Sequence, residues 1–138
     1  VYMNIRHLGS VILAVSDLNK SLKFYNEVIG LPVKNSRENW VELAKEGATV
    51  ILHPATKPIN TGTSIDNGIV IGLVVGDIES AVKELQSKNV TVYRDIVSHK
   101  AGKNCIVLDP DKYMVSLFEP SFDDGAKQAR GFHGFAPL

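Results

Sequence analysis

The chain has 138 residues, 44% hydrophobic and 22% charged, the profile of one globular domain with a real core rather than a disordered or fibrous chain. Fifteen basic residues balance fifteen acidic ones with no block of like charge, which speaks against a nucleic-acid surface, and no apolar run reaches the roughly 18 residues of a membrane span. Cys105 is the single cysteine, so no intrachain disulfide can form; with no signal-peptide layout at the start, a reducing cytoplasm is the expected compartment.

Val1 to Gly9 is a lead-in without clear periodicity. Ser10–Val15 is almost continuously apolar and reads as a strand buried on both faces. Asp17 is placed to cap a helix that carries Leu18, Leu22, Tyr25 and Ile29 on one side. Gly30, with Pro32 beyond it, should end that helix. Short strands are expected at Leu31–Lys34, after which Asn35–Glu38 turns, at Trp40–Leu43, and, after a turn at Glu46–Gly47, at Ala48–His53. Residues 54–67 are rich in Pro, Thr, Asn and Gly and read as a linker.

About sixty residues after the first cap the same grammar returns, and a repeat on that scale must be recognised before any element is placed. Strand Ile69–Val75 leads to a capping Asp77 and a helix to Lys88, then strand Val90–Arg94. A loop through Val97–Gly102 precedes strand Asn104–Leu108. Asp109-Pro110-Asp111-Lys112 has the composition of a tight turn, and Tyr113–Phe118 closes the set. The order is β-α-β-β-β twice, an α+β pattern. One domain is expected over 1–121, built from modules near 9–53 and 68–119, with a separate tail at 122–138. The tail carries Phe122, Phe132 and Phe135, as if it docks on something.

Val15-Ser16-Asp17-Leu18, Ser21, Phe24-Tyr25 and Gly30-Leu31, followed by Gly72, Val74–Ile78 and Asp109-Pro110-Asp111-Lys112-Tyr113, resemble the landmarks of the vicinal oxygen chelate superfamily. That group includes glyoxalase I, extradiol dioxygenases and bleomycin-resistance proteins. One departure is Lys112, where the family commonly has Gly. The resemblance implies paired βαβββ modules whose mixed sheets curl around a central cavity, often completed by a homodimer. In metal-using members four strand positions supply His, Glu or Gln. Carried over one by one, they fall on Ser10, Ile51 (or Leu52), Val70 and Ser116. None is a competent ligand for a divalent ion, so no metal and no cofactor are expected.

Strand alternation drafts the lining: Ser10, Ile12 and Ala14; Thr49, Ile51 and His53; Val70, Gly72 and Val74; Met114, Ser116 and Phe118. This is the makeup of a small-molecule pocket, and equally of a core that has filled in. His53 could contact a ligand, or it could be a strand-end imidazole bonded to backbone beside Pro54. Trp40, in a strand with Glu42, could stack on a planar ligand or pack at a subunit interface. Cys105 reads as a packed small hydrophobe, Tyr113 as an anchor for the last strand, and Arg37 and Arg94 as surface groups able to meet an anion. His7, His99 and His133 read as solvated. No phosphate loop exists, and no serine has a local base, so no catalytic residue is assigned. The function expected is metal-independent binding or sequestration of a small apolar or aromatic molecule. The alternatives are a lyase or dioxygenase with an atypical metal site, or an interaction module with a closed core.

Overall fold

The computed structural model describes residues 3–59 and 68–121. The expected docking segment of the tail, His133 and most of the linker lie outside them. The chain divides into two compact units at Ile59/Asn60, each holding one four-stranded mixed sheet and one helical segment.

In the first unit, β1 (Ser10–Val15), β2 (Val33–Arg37), β3 (Trp40–Leu43) and β4 (Thr49–Pro54) form a sheet in the order β1-β4-β3-β2. β1 pairs parallel with β4, and the others run antiparallel. Ladder partners share a face, so the register places Leu13 and Val15, Val41 and Leu43, and Val50 and Leu52 together, all buried. Helix α1 (Leu18–Leu22) packs against β4. Asp17 caps α1 as expected, its Oδ1 accepting from the Lys20 N–H at 3.2 Å.

Three expectations shift here. Beyond Leu22 the helix widens into a π-helix, Lys23–Val28, whose end is closed by Ile29 N–H donating to Phe24 O and, past Gly30, Leu31 N–H donating to Tyr25 O. Tyr25 is buried as expected, but it is joined by Ser21 and Phe24, while Leu18, Leu22 and Ile29 are half-buried. Gly30 does end the helix, at φ 97°. The polar segment Asn35–Arg37 continues β2, because each residue finds a ladder partner on β3, and the turn shrinks to Glu38–Asn39. Nor is β1 buried on both faces: Ile12 is 57% exposed, since only the opposite face is covered.

The second unit repeats the plan. β5 (Val70–Val74), β6 (Thr91–His99), β7 (Gly102–Leu108) and β8 (Met114–Pro120) are ordered β5-β8-β7-β6. Helix α2 (Ile78–Ser87) buries Ile78, Val82 and Leu85, spaced to form one stripe, against β6, β7 and β8. The expected loop at 97–102 is instead strand. Val97, Ser98 and His99 pair with Asn104, Lys103 and Gly102, leaving a turn at Lys100–Ala101. Gly102 sits at φ 151°, and a Cβ there would lie 2.2 Å from Glu119 O; side-chain volume is excluded at the point where β7 and β8 come together. The Asp109 turn is as expected: Oδ1 accepts from the N–H groups of Asp111 and Tyr113, both at 2.8 Å. Lys112 adopts φ 68°, the left-handed conformation that Gly takes without cost.

Candidate functional site

The residues singled out by strand parity share one face of each sheet, where Thr49, Ile51, Met114, Ser116 and Phe118 are buried. In the first sheet, β1–β4 pairing sets Ser10 beside Thr49, Ile12 beside Ile51 and Ala14 beside His53. β3 adds Glu42 opposite Ile51 and, one pair along, Trp40 toward His53. Arg37 of β2 pairs with Trp40. The Trp40 and His53 rings meet edge to face, with centroids 6.0 Å apart and planes at 81°. His53 is exposed, and its Nδ1 lies 2.9 Å from Pro54 O, so a proton on Nδ1 donates to that carbonyl and Nε2 presents its lone pair. The backbone-bonded reading of His53 and a ligand contact through Nε2 are compatible. Trp40 is half-buried, Ile51 is buried, and Glu42 and Ser10 are half-buried. The face therefore mixes an apolar strip of Ile12, Ala14 and Ile51 and an aromatic corner with several polar groups, a combination that can orient a small molecule.

In the second sheet Val70 pairs with Met114, Gly72 with Ser116 and Val74 with Phe118. Met114, Ser116 and Phe118 are buried, whereas Val70 is half-buried and Val74 is 52% exposed. The polar centre of this face was missed by sequence reasoning. Asn104, fully buried, donates from Nδ2 to Ser116 Oγ at 2.5 Å and to Leu117 O at 3.1 Å, and its Oδ1 accepts from Arg94 Nη2. The signal was present. An amide inside the apolar run Asn104–Leu108 of an inner strand must find partners, because a buried unbonded amide costs about 1–3 kcal/mol. His99, expected to be solvated, is half-buried in β6, with its Nε2 buried and unbonded.

The groups elsewhere have structural tasks. Cys105 is fully buried, and burial pushes its thiol up to about 11, far from a reactive thiolate. Burial likewise raises the Tyr113 phenol. Among the described residues, Asp77, Glu79 and Glu119 bring carboxylates within 4.8 Å of one another, yet each is engaged at the start of α2. Asp77 accepts from the Ser80 N–H and hydroxyl, Glu119 accepts from the Ile78 N–H, and Glu79 pairs with Lys103 at 2.7 Å.

The chain belongs to the Glyoxalase/Bleomycin resistance protein/Dioxygenase superfamily, whose family model matches residues 5–117. It is 29% identical to a lactoylglutathione lyase of Schizosaccharomyces pombe, over 86% of this chain and 49% of that one; the chain thus spans about half the length of that enzyme. It is 30% identical to a probable lactoylglutathione lyase of Vibrio parahaemolyticus, over 78% of this chain and 86% of that one. Among solved structures, TnmS3, an antibiotic binding protein from Streptomyces sp. CB03234, shares the fold at a TM-score of 0.67 and 23% identity, covering 87% of this chain and 100% of that one.

Glyoxalase-type chemistry in this family implies a metal ion. The positions that the resemblance assigns to its ligands hold two hydroxyls and two hydrocarbon side chains, Ser10, Ser116, Ile51 and Val70, and the Ser116 oxygen already takes the Asn104 amide. That donor set does not fit a divalent ion, which wants imidazole, carboxylate or thiolate in place of water.

Proposed function

We propose that this protein is a metal-independent member of its superfamily that binds or sequesters a small apolar or aromatic compound. The observation that carries the reading is the Trp40–His53 corner beside the exposed Ile12 on the first sheet. There an aromatic edge, an open hydrocarbon surface and an imidazole lone pair adjoin ligand positions unsuited to a metal. Aromatic faces of this kind favour a flat partner by about 0.5–1.5 kcal/mol beyond area burial. Ser10, Ile12, Trp40, Ile51 and His53 make up the proposed site of the first unit, and Val70 that of the second, with the buried Met114, Ser116 and Phe118 on the same sheet face as its supporting layer. The fold shared with an antibiotic binding protein supports the same reading. A homodimer, as the family resemblance implies, and a reducing cytoplasm, as the single cysteine suggests, belong to the proposal.

The test is a titration of Trp40 emission with a panel of polycyclic aromatic compounds after extensive chelation. Binding is expected as saturable quenching, with a melting temperature that rises with ligand concentration because the ligand selects the folded state. His53→Ala should weaken it about fivefold, equivalent to about 1 kcal/mol. A flat response across the panel would remove this reading and favour a closed core. The second reading, a lyase, draws on the two lactoylglutathione lyase relatives. Stoichiometric zinc or nickel in the purified protein, with turnover lost on chelation, would establish it instead.

A further inference from the structure

We propose that Arg94 is an anion anchor on the second sheet, aimed by Asn104 and Ser116 at a carboxylate of a small organic ligand. This rests on the small-molecule reading above and specifies its ligand class. Arg94 pairs with Ile106 on β7, and Ile106 with Ser116 on β8, so the three form one transverse row on the face away from α2. The β6 register slips on both sides of Arg94, an irregularity that proteins use to re-aim a side chain.

The guanidinium is held by a neutral group. Its Nη2 donates to Asn104 Oδ1, and the Asn104 amide cannot turn over, because its nitrogen is committed to Ser116 Oγ and Leu117 O. The charge itself is unanswered. Among the described residues the ion pairs are Lys88–Glu84 and Lys103–Glu79, and the adjacent Asp95 turns its carboxylate onto the Ile96 N–H at 2.8 Å. Arg94 is half-buried, and its Nε–H is buried with no acceptor. A guanidinium with no structural assignment would extend into water. This one is partly withdrawn from solvent, oriented by a buried amide, and left with a donor to spare.

That arrangement suits a planar carboxylate, which accepts two parallel N–H bonds from the guanidinium fork. The next row along, Val74–Phe118–Asn104–Val97, leaves Val74 and Val97 exposed, a seat for hydrocarbon attached to the carboxylate. Asn104 and Ser116 are positioning residues in this scheme, and Arg94 is the contact.

The test compares naphthalene-2-carboxylate with its neutral counterpart naphthalene-2-carboxamide by titration calorimetry on the full chain. The native protein should prefer the carboxylate at least tenfold. Arg94→Met should abolish that preference while leaving carboxamide affinity in place, and Arg94→Lys should keep part of it. Ser116→Ala, which removes one of the two bonds that fix the Asn104 amide, should shrink the preference, a change that a merely structural role would not produce. Equal affinity for the two compounds, or a preference that survives Arg94→Met, overturns the anchor and leaves the small-molecule reading standing. Binding of neither compound also overturns the anchor, and the Trp40 emission panel then decides the small-molecule reading separately.

Discussion

The two modules begin alike and diverge inward. Asp17 and Asp77 hold nearly the same backbone angles, φ −137°, ψ 104° and φ −139°, ψ 98°, and each accepts from the N–H three residues on at 3.2 Å. After the cap the first helix widens into a π-helix and the second stays α-helical for ten residues. On the opposite sheet faces the first module presents an aromatic corner, and the second a buried amide carrying an arginine. Capping depends on one local side chain and the backbone next to it, so it is easily kept in both copies. Face composition depends on what the face must contact, and there the copies part.

The sharpest way to separate the modules is through their glycines. Gly102→Ala should cost about 3 kcal/mol, since the new Cβ meets Glu119 O at 2.2 Å and Pro120 Cα at 3.0 Å. Gly47→Ala, in the β3–β4 turn at φ 82° with open space around it, should cost only the left-handed strain of about 1 kcal/mol. Denaturant midpoints decide this, and equal losses would erase the contrast.

A middle-sized effect is expected from acid. Hydrogen bonds from Ser80 hold the Asp77 carboxyl below its usual value, and the Lys103 bond does the same for Glu79. Unfolded, both carboxyls titrate higher and take up protons first. Their stabilisation is therefore complete above the ordinary carboxylate range and lost as pH falls from about 5 toward the lowered folded values. Melting temperature followed over that interval should fall less steeply in Asp77→Asn than in the native chain.

The smallest effect comes from Lys112, the β7–β8 counterpart of Gly47. Lys112→Gly should raise stability by about 0.5 kcal/mol, as relief of φ 68° outweighs the added freedom of the unfolded chain. A loss on that substitution would mean that the lysine side chain makes a compensating contact.

Much of this was legible beforehand, for physical reasons. Ser10–Val15 and Trp40–Leu43 coincide with their strands because short, largely apolar runs bounded by polar turn residues mark them locally. The hairpin through Val97–His99 was not legible, since polar, turn-prone residues there are held by partners on β7 that no short window contains. Nor was the helix stripe, because a π-helix alters the period on which the reading depends. Among site residues, Ser10, Ile12, Ile51 and His53 fall on one face as parity predicts. Asn104 escaped because its role exists only once Arg94 and Ser116 are brought across two ladders to meet it.

Trp40 is the chain's single tryptophan and Cys105 its single cysteine, one in each module and neither freely exposed. The molecule thus arrives with two orthogonal reporters already in place: indole emission follows the first module, and alkylation of a thiol shielded until β7 opens follows the second. Heating the native chain with a maleimide present would show whether both halves melt as one cooperative body or come apart in sequence.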